Sequence, residues 1–326
     1  GIRIERHWNT MVLARPCLRD FAISFRYSGC YTPNPRPYTE PSVRPGRGVI
    51  MSDENGKEVL FEVTEDHLDT GLRGIPVGTC RTSFVDPKKG VHYCGYPVGD
   101  LADMDPEDVI FLLFEKRLPN RQESQDFRHE LAQRAERLPT GALRVLESLT
   151  PSTGHPMDWL SIGIQALGVA ETTGDIRADG LNLISRMPEL MATIFRLRGG
   201  RGLPEVASEP SRGMVENFVH LLGMEGSDAE RMTRTLRVFL VLHMDHGGGN
   251  LSTFTGKAVA SGWASLYASI SSAMNALSGP LHGRANQSCL EFVQRIGTSD
   301  EAEVEAFVRK ELAARRPIYG FGHAVL

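Results

Sequence analysis

A chain of 326 residues, 41% of them apolar and 23% charged, has ample length for a large core and for about two domains. Its formal net charge of −4 and pI near 6.2 provide no basic field, which argues against nucleic acid as its partner. Five scattered cysteines (Cys17, Cys30, Cys80, Cys94 and Cys289) never form a CxxC pair, which points to a reducing compartment and gives neither a disulfide framework nor a metal cage.

The first fifteen residues lack an apolar stretch of the secretory kind. Residues 20 to 60 are dense in turn formers, as in Tyr31-Thr-Pro-Asn-Pro-Arg-Pro37 and Pro45-Gly-Arg-Gly48, and oppose regular structure. Short strands are expected over 59–63 and 80–85, with Pro87-Lys-Lys-Gly90 turning the chain back into 91–94 as a hairpin. Helical signals follow. Asp105-Pro106-Glu107-Asp108 combines a capping residue, a proline suited to the first turn and two carboxylates for the positive end of the dipole. A polar amphipathic helix is expected over 121–137, and a second helix over 158–170 with Leu160, Ile164 and Leu167 on one stripe. Pro188 is expected to kink or split the pattern from 181 to 198. Ser227-Asp-Ala-Glu230 reads as a capping box opening the helix that leads to His243. The apolar-leaning run 258–277 is interrupted by serines, Gly262, Trp263 and Asn275, so a closely packed buried helix is expected there and not a membrane span. The fold class is mainly α, with a short β element near the N-terminus.

Three segments carry the chemistry. They are His243-Met-Asp245-His246-Gly-Gly-Gly-Asn250, Gly279-Pro-Leu-His282-Gly-Arg-Ala-Asn286-Gln287 and Gly320-Phe-Gly322-His323-Ala-Val-Leu326. Each sets a histidine among glycines, where backbone can approach a ligand closely and the imidazole can act as acid, base or ligand. His7, His67, His92, His129 and His220 have no such setting and read as ordinary polar groups, and His243 as facing its own helix or a neighbour. A two-metal hydrolase cluster of the form his-x-his-x-asp-his would need a histidine at 241, where this chain has Val, so no metal site is expected. Gly247–Gly249 is not followed by Lys-Ser/Thr and makes a poor phosphate cradle.

In this order the three histidine segments resemble those of the citrate synthase family. Gly71-Leu-Arg-Gly74, Gly95-Tyr-Pro-Val-Gly-Asp-Leu-Ala102, His155-Pro-Met-Asp158, Arg186-Met-Pro188 and Glu216-Asn-Phe218 match further family landmarks in sequence. The resemblance covers about residues 71 to 326. It implies an N-terminal segment over 1–70 of no assigned structure, a large helical domain over 71–283 and the beginning of a small domain over 284–326.

The resemblance implies a Claisen-type condensation of acetyl-CoA with oxaloacetate, followed by thioester hydrolysis to citrate and CoA. The difficult step is removal of a proton from the weakly acidic thioester methyl group, which needs a carboxylate base and a donor to the carbonyl oxygen. By the family pattern His282, as neutral imidazole, is that donor, and His323 bonds the oxaloacetate carbonyl. His246 holds an oxaloacetate carboxylate, Asn250 and Ser252 lie beside the site with Ser252 orienting His282, and Gly320 and Gly322 lie against CoA. No tightly bound cofactor is implied, since acetyl-CoA is a co-substrate. The family's base is an aspartate beyond the third histidine segment, so the 326-residue chain by itself is expected not to turn over, and Asp245 matches a different position. Partners implied are oxaloacetate, acetyl-CoA and a second copy in a homodimer, without membrane or nucleic acid. The alternatives are a 2-methylcitrate synthase taking propionyl-CoA and a non-catalytic dimer of the same fold. A cytoplasmic location is expected, with the mitochondrial matrix as the alternative.

Overall fold

The computed structural model describes residues 78–321, except 87, 136, 152 and 281, together with Glu62, Thr64, Glu65 and His67. The strand expected over 59–63 falls outside these residues, Glu62 excepted. Gly1–Pro76 and Val77–Leu326 form separate compact units, and the second carries everything that follows.

The expected hairpin is present. Strand β1 (Ser83–Asp86) pairs antiparallel with β2 (Gly90–Tyr93), Ser83 opposite Tyr93, and a short β3 (Tyr96–Pro97) extends the sheet. Asp86 closes the turn by accepting the N–H groups of Lys88 and Lys89 at 2.7 and 2.8 Å. Helices α1 (Val98–Leu101) and α2 (Pro106–Glu115) follow. Asp105 does stand at the N-cap of α2, but its side chain makes no capping bond and pairs with Arg128 and Arg237. Helix α3 (Arg121–Arg134) is opened by a reciprocal Asn120–Glu123 capping box, and α4 (Thr140–Glu147) leads to α5 (Pro156–Glu171).

Helix α6 (Ile176–Arg198) runs through Pro188 without a break, so the proline does not split it. After α7 (Met214–Leu221), α8 (Gly226–Leu242) starts one residue before the expected box: Glu225 is its N-cap, no side chain caps it, and Ser227 lies inside the first turn. The run over 258–277 is two helices, not one. Helix α9 (Leu251–Ser261) ends at a bend where Trp263 adopts φ 61° and is 97% exposed, and α10 (Leu266–Leu277) follows. Helices α11 (Ala285–Ile296) and α12 (Glu301–Ala313) complete the described chain. They pack through Phe292 edge-on to Phe307, and Glu311, buried between Arg316 and Arg295, is held down to about 2 chiefly by the Arg316 hydrogen bond.

The core explains why α10 is rich in small residues. A Cβ on Gly168 of α5 would stand 2.8 Å from Tyr267 Cγ, and one on Gly256 of α9 would stand 3.4 Å from Ala273 Cβ. Ser161 and Ser271 hydrogen-bond across the same contact at 2.9 Å, both buried. Helices α5, α9 and α10 therefore approach closely within one chain, and apolar burial around Trp159, Leu167, Leu190 and Tyr267 supplies the driving force. Among the described residues no helix is long and apolar enough to cross a membrane.

Candidate active site

Two of the three histidine segments lie in the described region, each in the turn between two helices. The first follows α8. Tyr93, fully buried, donates its hydroxyl to Val241 O at 3.0 Å and fixes where α8 ends. Asp245 then accepts from Thr82 Oγ1, from Ser83 Oγ at 2.6 Å and from Gly247 N–H at 2.9 Å. This occupation leaves the Asp245 carboxylate serving the turn. His246 stands at the apex of the turn and is exposed. Gly247 has φ +87°, which glycine alone adopts without strain. Gly248 is buried, and a Cβ there would meet Cys80 Cβ at 3.1 Å and Lys257 Nζ at 3.2 Å. Burial opposes ionisation of the neighbouring Cys80 thiol, but hydrogen bonds with Thr82 and Ser83 outweigh it and bring it down to about 7.

Asn250 joins this turn to the second histidine. It caps α9 by accepting Thr253 N–H at 2.8 Å, and its Nδ2 donates to Gly247 O at 2.9 Å. The Ser252 hydroxyl lies 2.8 Å from Asn250 Oδ1 and 3.0 Å from His282 Nε2, so its one proton is shared between these acceptors. Ser252 N–H also points at Nε2, at 3.3 Å. A backbone N–H can only donate, so Nε2 is the acceptor and the imidazole proton resides on Nδ1. Among the described residues Nδ1 has no hydrogen-bond partner, leaving one N–H to donate to a ligand. Burial lowers the His282 pKa and favours the neutral ring.

The His282 turn is shaped by contacts as close as those in the core. His282 N–H reaches Gly279 O, and Ala285 N–H reaches His282 O, each at 3.0 Å. A Cβ on Gly283 would fall 2.9 Å from Leu277 O, so the glycine is required by the close pass over the end of α10. Five residues beyond His282, Gln287 Oε1 accepts from His155 Nε2 at 2.6 Å. His155 Nδ1 meanwhile accepts Met157 N–H at 3.2 Å as the cap of α5. That pair ties α11 to the start of α5. The sequence marks both residues only as landmarks.

The third segment is described only at Gly320 and Phe321, and Gly320 has φ +92° and lies where a Cβ would meet Cys289 Sγ of α11 at 3.1 Å. The positive φ favours glycine at 320, and the sulfur leaves little room for a side chain. Gly322 and His323 lie outside the described residues. The structure thus joins Asp245, Gly247, Asn250, Ser252 and His282 through one hydrogen-bonded run, with His246 between the first two, and brings Gly320 against α11.

The lowered His282 pKa has a consequence for stability. The unfolded chain takes up the proton near the ordinary histidine value of 6.5 while the folded chain resists it, so the unfolded state binds more protons just below that pH. Stability should fall as pH drops below about 6.5, and His282→Gln should remove that component of the fall. Urea unfolding of both proteins from pH 8 to 5 checks this. Parallel curves would contradict it.

A family model described as citrate synthase, C-terminal domain, matches residues 71–326. Citrate synthase 4, mitochondrial, of Arabidopsis thaliana is 30% identical over 307 residues, spanning 85% of this chain and 63% of that protein. The mitochondrial 2-methylcitrate synthase of Yarrowia lipolytica is 32% identical over 305 residues, spanning 85% of this chain and 65% of that one. A crystal structure of citrate synthase from Thermotoga maritima superposes with a TM-score of 0.68 at 30% identity, covering 78% of this chain and 67% of the other. The chain thus spans slightly under two thirds of the length of these curated relatives. With a matched region that takes in both described histidine turns and most of the sequence, the chain belongs to the citrate synthase family.

Proposed function

We propose that this chain carries the condensing site of an acyltransferase that joins acetyl-CoA to oxaloacetate and releases citrate and CoA. The observation that supports it most is the Ser252 N–H aimed at His282 Nε2, which leaves a neutral Nδ1–H donor in the second histidine turn. In the proposed reaction a carboxylate base takes a methyl proton from the thioester. His282 Nδ1–H donates to the thioester carbonyl oxygen as charge grows there. The new carbon nucleophile attacks the ketone carbon of oxaloacetate, whose oxygen takes a hydrogen bond from His323, while His246 holds a carboxylate of the same substrate. Water then cleaves the resulting thioester to citrate and CoA. The base is assigned by family resemblance to an aspartate that follows the third histidine segment, and the three donors on Asp245 favour a holding role for that residue.

The activity is proposed for the full polypeptide. For the 326 residues alone the expectation is substrate binding without turnover. Acetyl-CoA enters as co-substrate and Gly320 and Gly322 are proposed to flank it. A homodimer is proposed on the same resemblance, with the exposed apolar Val169, Ile176 and Trp263 as support. The Arabidopsis and Yarrowia proteins are named as mitochondrial and a Saccharomyces cerevisiae relative as peroxisomal, so the mitochondrial matrix stands beside the cytoplasm as a proposed location.

The 32% identity with a 2-methylcitrate synthase favours a second reading, in which propionyl-CoA is the acyl donor. Oxaloacetate-dependent release of free CoA thiol from the two thioesters separates them. One methylene in an apolar pocket is worth about tenfold or more in discrimination, so acetyl-CoA should lead by at least that factor. A reversed ratio would establish the second reading. No release from either thioester in the full polypeptide would leave the non-catalytic dimer.

A further inference from the structure

We infer that Asp245 is a positioning residue for His246, and that the β1–β2 hairpin serves the condensing site by holding this carboxylate. The inference rests on the proposed assignment of His246 to an oxaloacetate carboxylate. It gives a role to two features that the reaction leaves unused, the hairpin and the acid beside the histidine.

A carboxylate just past the C-terminal end of α8 sits at the negative end of the helix dipole, where an acid is disfavoured. It is retained there by specific donors. Thr82 and Ser83, at the start of the hairpin and more than 160 positions away in sequence, each give a hydroxyl proton to a different Asp245 oxygen. The oxygen that accepts from Ser83 also accepts Gly247 N–H at 2.9 Å, so the side chain spans His246 and ties the residue before it to the residue after it. Asp245 N–H points to the buried Tyr93 hydroxyl at 3.4 Å, which adds a second tether from β2. Beyond His246, Gly248 is closed in by Cys80 and Lys257, and Lys257 Nζ donates to Thr79 O at 3.0 Å. Thr82 and Ser83 therefore hold Asp245 on one side of His246, and Cys80 closes on Gly248 on the other. His246 is the exposed residue of the 245–248 turn. Such a clasp fixes the backbone on both sides of the imidazole and so fixes the direction of its N–H, which is what capture of a carboxylate requires.

The test is a double-mutant cycle read by calorimetric titration of the chain with oxaloacetate. Asp245→Ala should weaken binding by roughly tenfold to a hundredfold, as misplaced binding groups do. In a His246→Ala background the same change should matter by less than about twofold, because the two residues act as one unit. Asp245→Asn keeps the shape and one acceptor oxygen and should recover part of the loss. If Asp245→Ala does not fold, Thr82→Val and Ser83→Ala each remove one donor and complete the same cycle. Equal losses with and without His246, or no loss, would overturn the inference while leaving the condensing reading intact. A parent chain that binds no oxaloacetate would overturn both.

Discussion

Replacing His282 by alanine is expected to lower the turnover of the full polypeptide by about 10²-fold or more, the usual cost of losing a general acid. The loss should fall on kcat, because the Nδ1–H bond strengthens as charge builds on the thioester oxygen and contributes little before that. His282→Asn, whose Nδ2–H falls near the position of Nδ1–H, should recover some of the rate. The Ser252 partner sharpens the expectation. Its backbone N–H holds the ring tautomer whatever its side chain is, so Ser252→Ala removes only the 3.0 Å hydroxyl contact and should cost far less than His282→Ala. Steady-state kinetics at saturating thioester checks both variants. An alanine variant that keeps the parent rate would refute the assignment of His282.

Trp159→Ala is expected to destabilise the fold by about 3–5 kcal/mol, the range for removing a large aromatic from a packed core. Trp159 is 2% exposed in the main core cluster, and its indole N–H donates to Thr153 O at 3.1 Å. The Arg198 guanidinium lies 5.3 Å from the ring centroid and donates to the same Thr153 carbonyl at 3.0 Å. Truncation therefore opens a cavity and also strips the aromatic face from a buried arginine whose charge is already disfavoured by burial. Trp159→Phe keeps most of the volume and should cost only about 1–2 kcal/mol. Urea unfolding gives both values, and a midpoint shift with unchanged slope identifies a true stability change. A loss below about 1 kcal/mol for Trp159→Ala would mean that the core around α5 can collapse into the space.

Much of this was legible in the sequence where the signal is local. The hairpin follows from Pro87-Lys-Lys-Gly90 between two short β-rich runs, and the start of α2 from Asp105-Pro106. Local signals also misled. Ser227-x-x-Glu230 has the form of a capping box, yet Gly226 already begins the helix with φ +63°. The run 258–277 breaks where Gly262 closes α9 and Ser265 caps α10, a local signal that the reading of one continuous helix passed over. Pro188 is absorbed inside α6, where packing on both sides outweighs one missing N–H.

The site was legible in a different manner. Glycine-flanked histidines marked the turns, and family resemblance supplied the roles, but no pattern indicates that Ser252 N–H would select the His282 tautomer thirty positions on. The Thr82–Ser83 clasp on Asp245 was invisible for the same reason, since hydroxyl residues are common and their partner lies on the far side of the chain. Asp245 next to His246 invited a metal reading, and only the three donors reveal what the carboxylate serves.

The most direct test of a neutral donor at His282 is the nitrogen-15 chemical shifts of its ring, read by long-range proton correlation at pH 7 on the 326-residue chain. One protonated nitrogen is expected, Nδ1, with a bare Nε2 that accepts from Ser252, and this neutral ring should still predominate at about pH 6.5, where a free histidine is half protonated. An imidazolium at pH 7, or a proton on Nε2, would contradict it and leave the thioester carbonyl without its proposed donor.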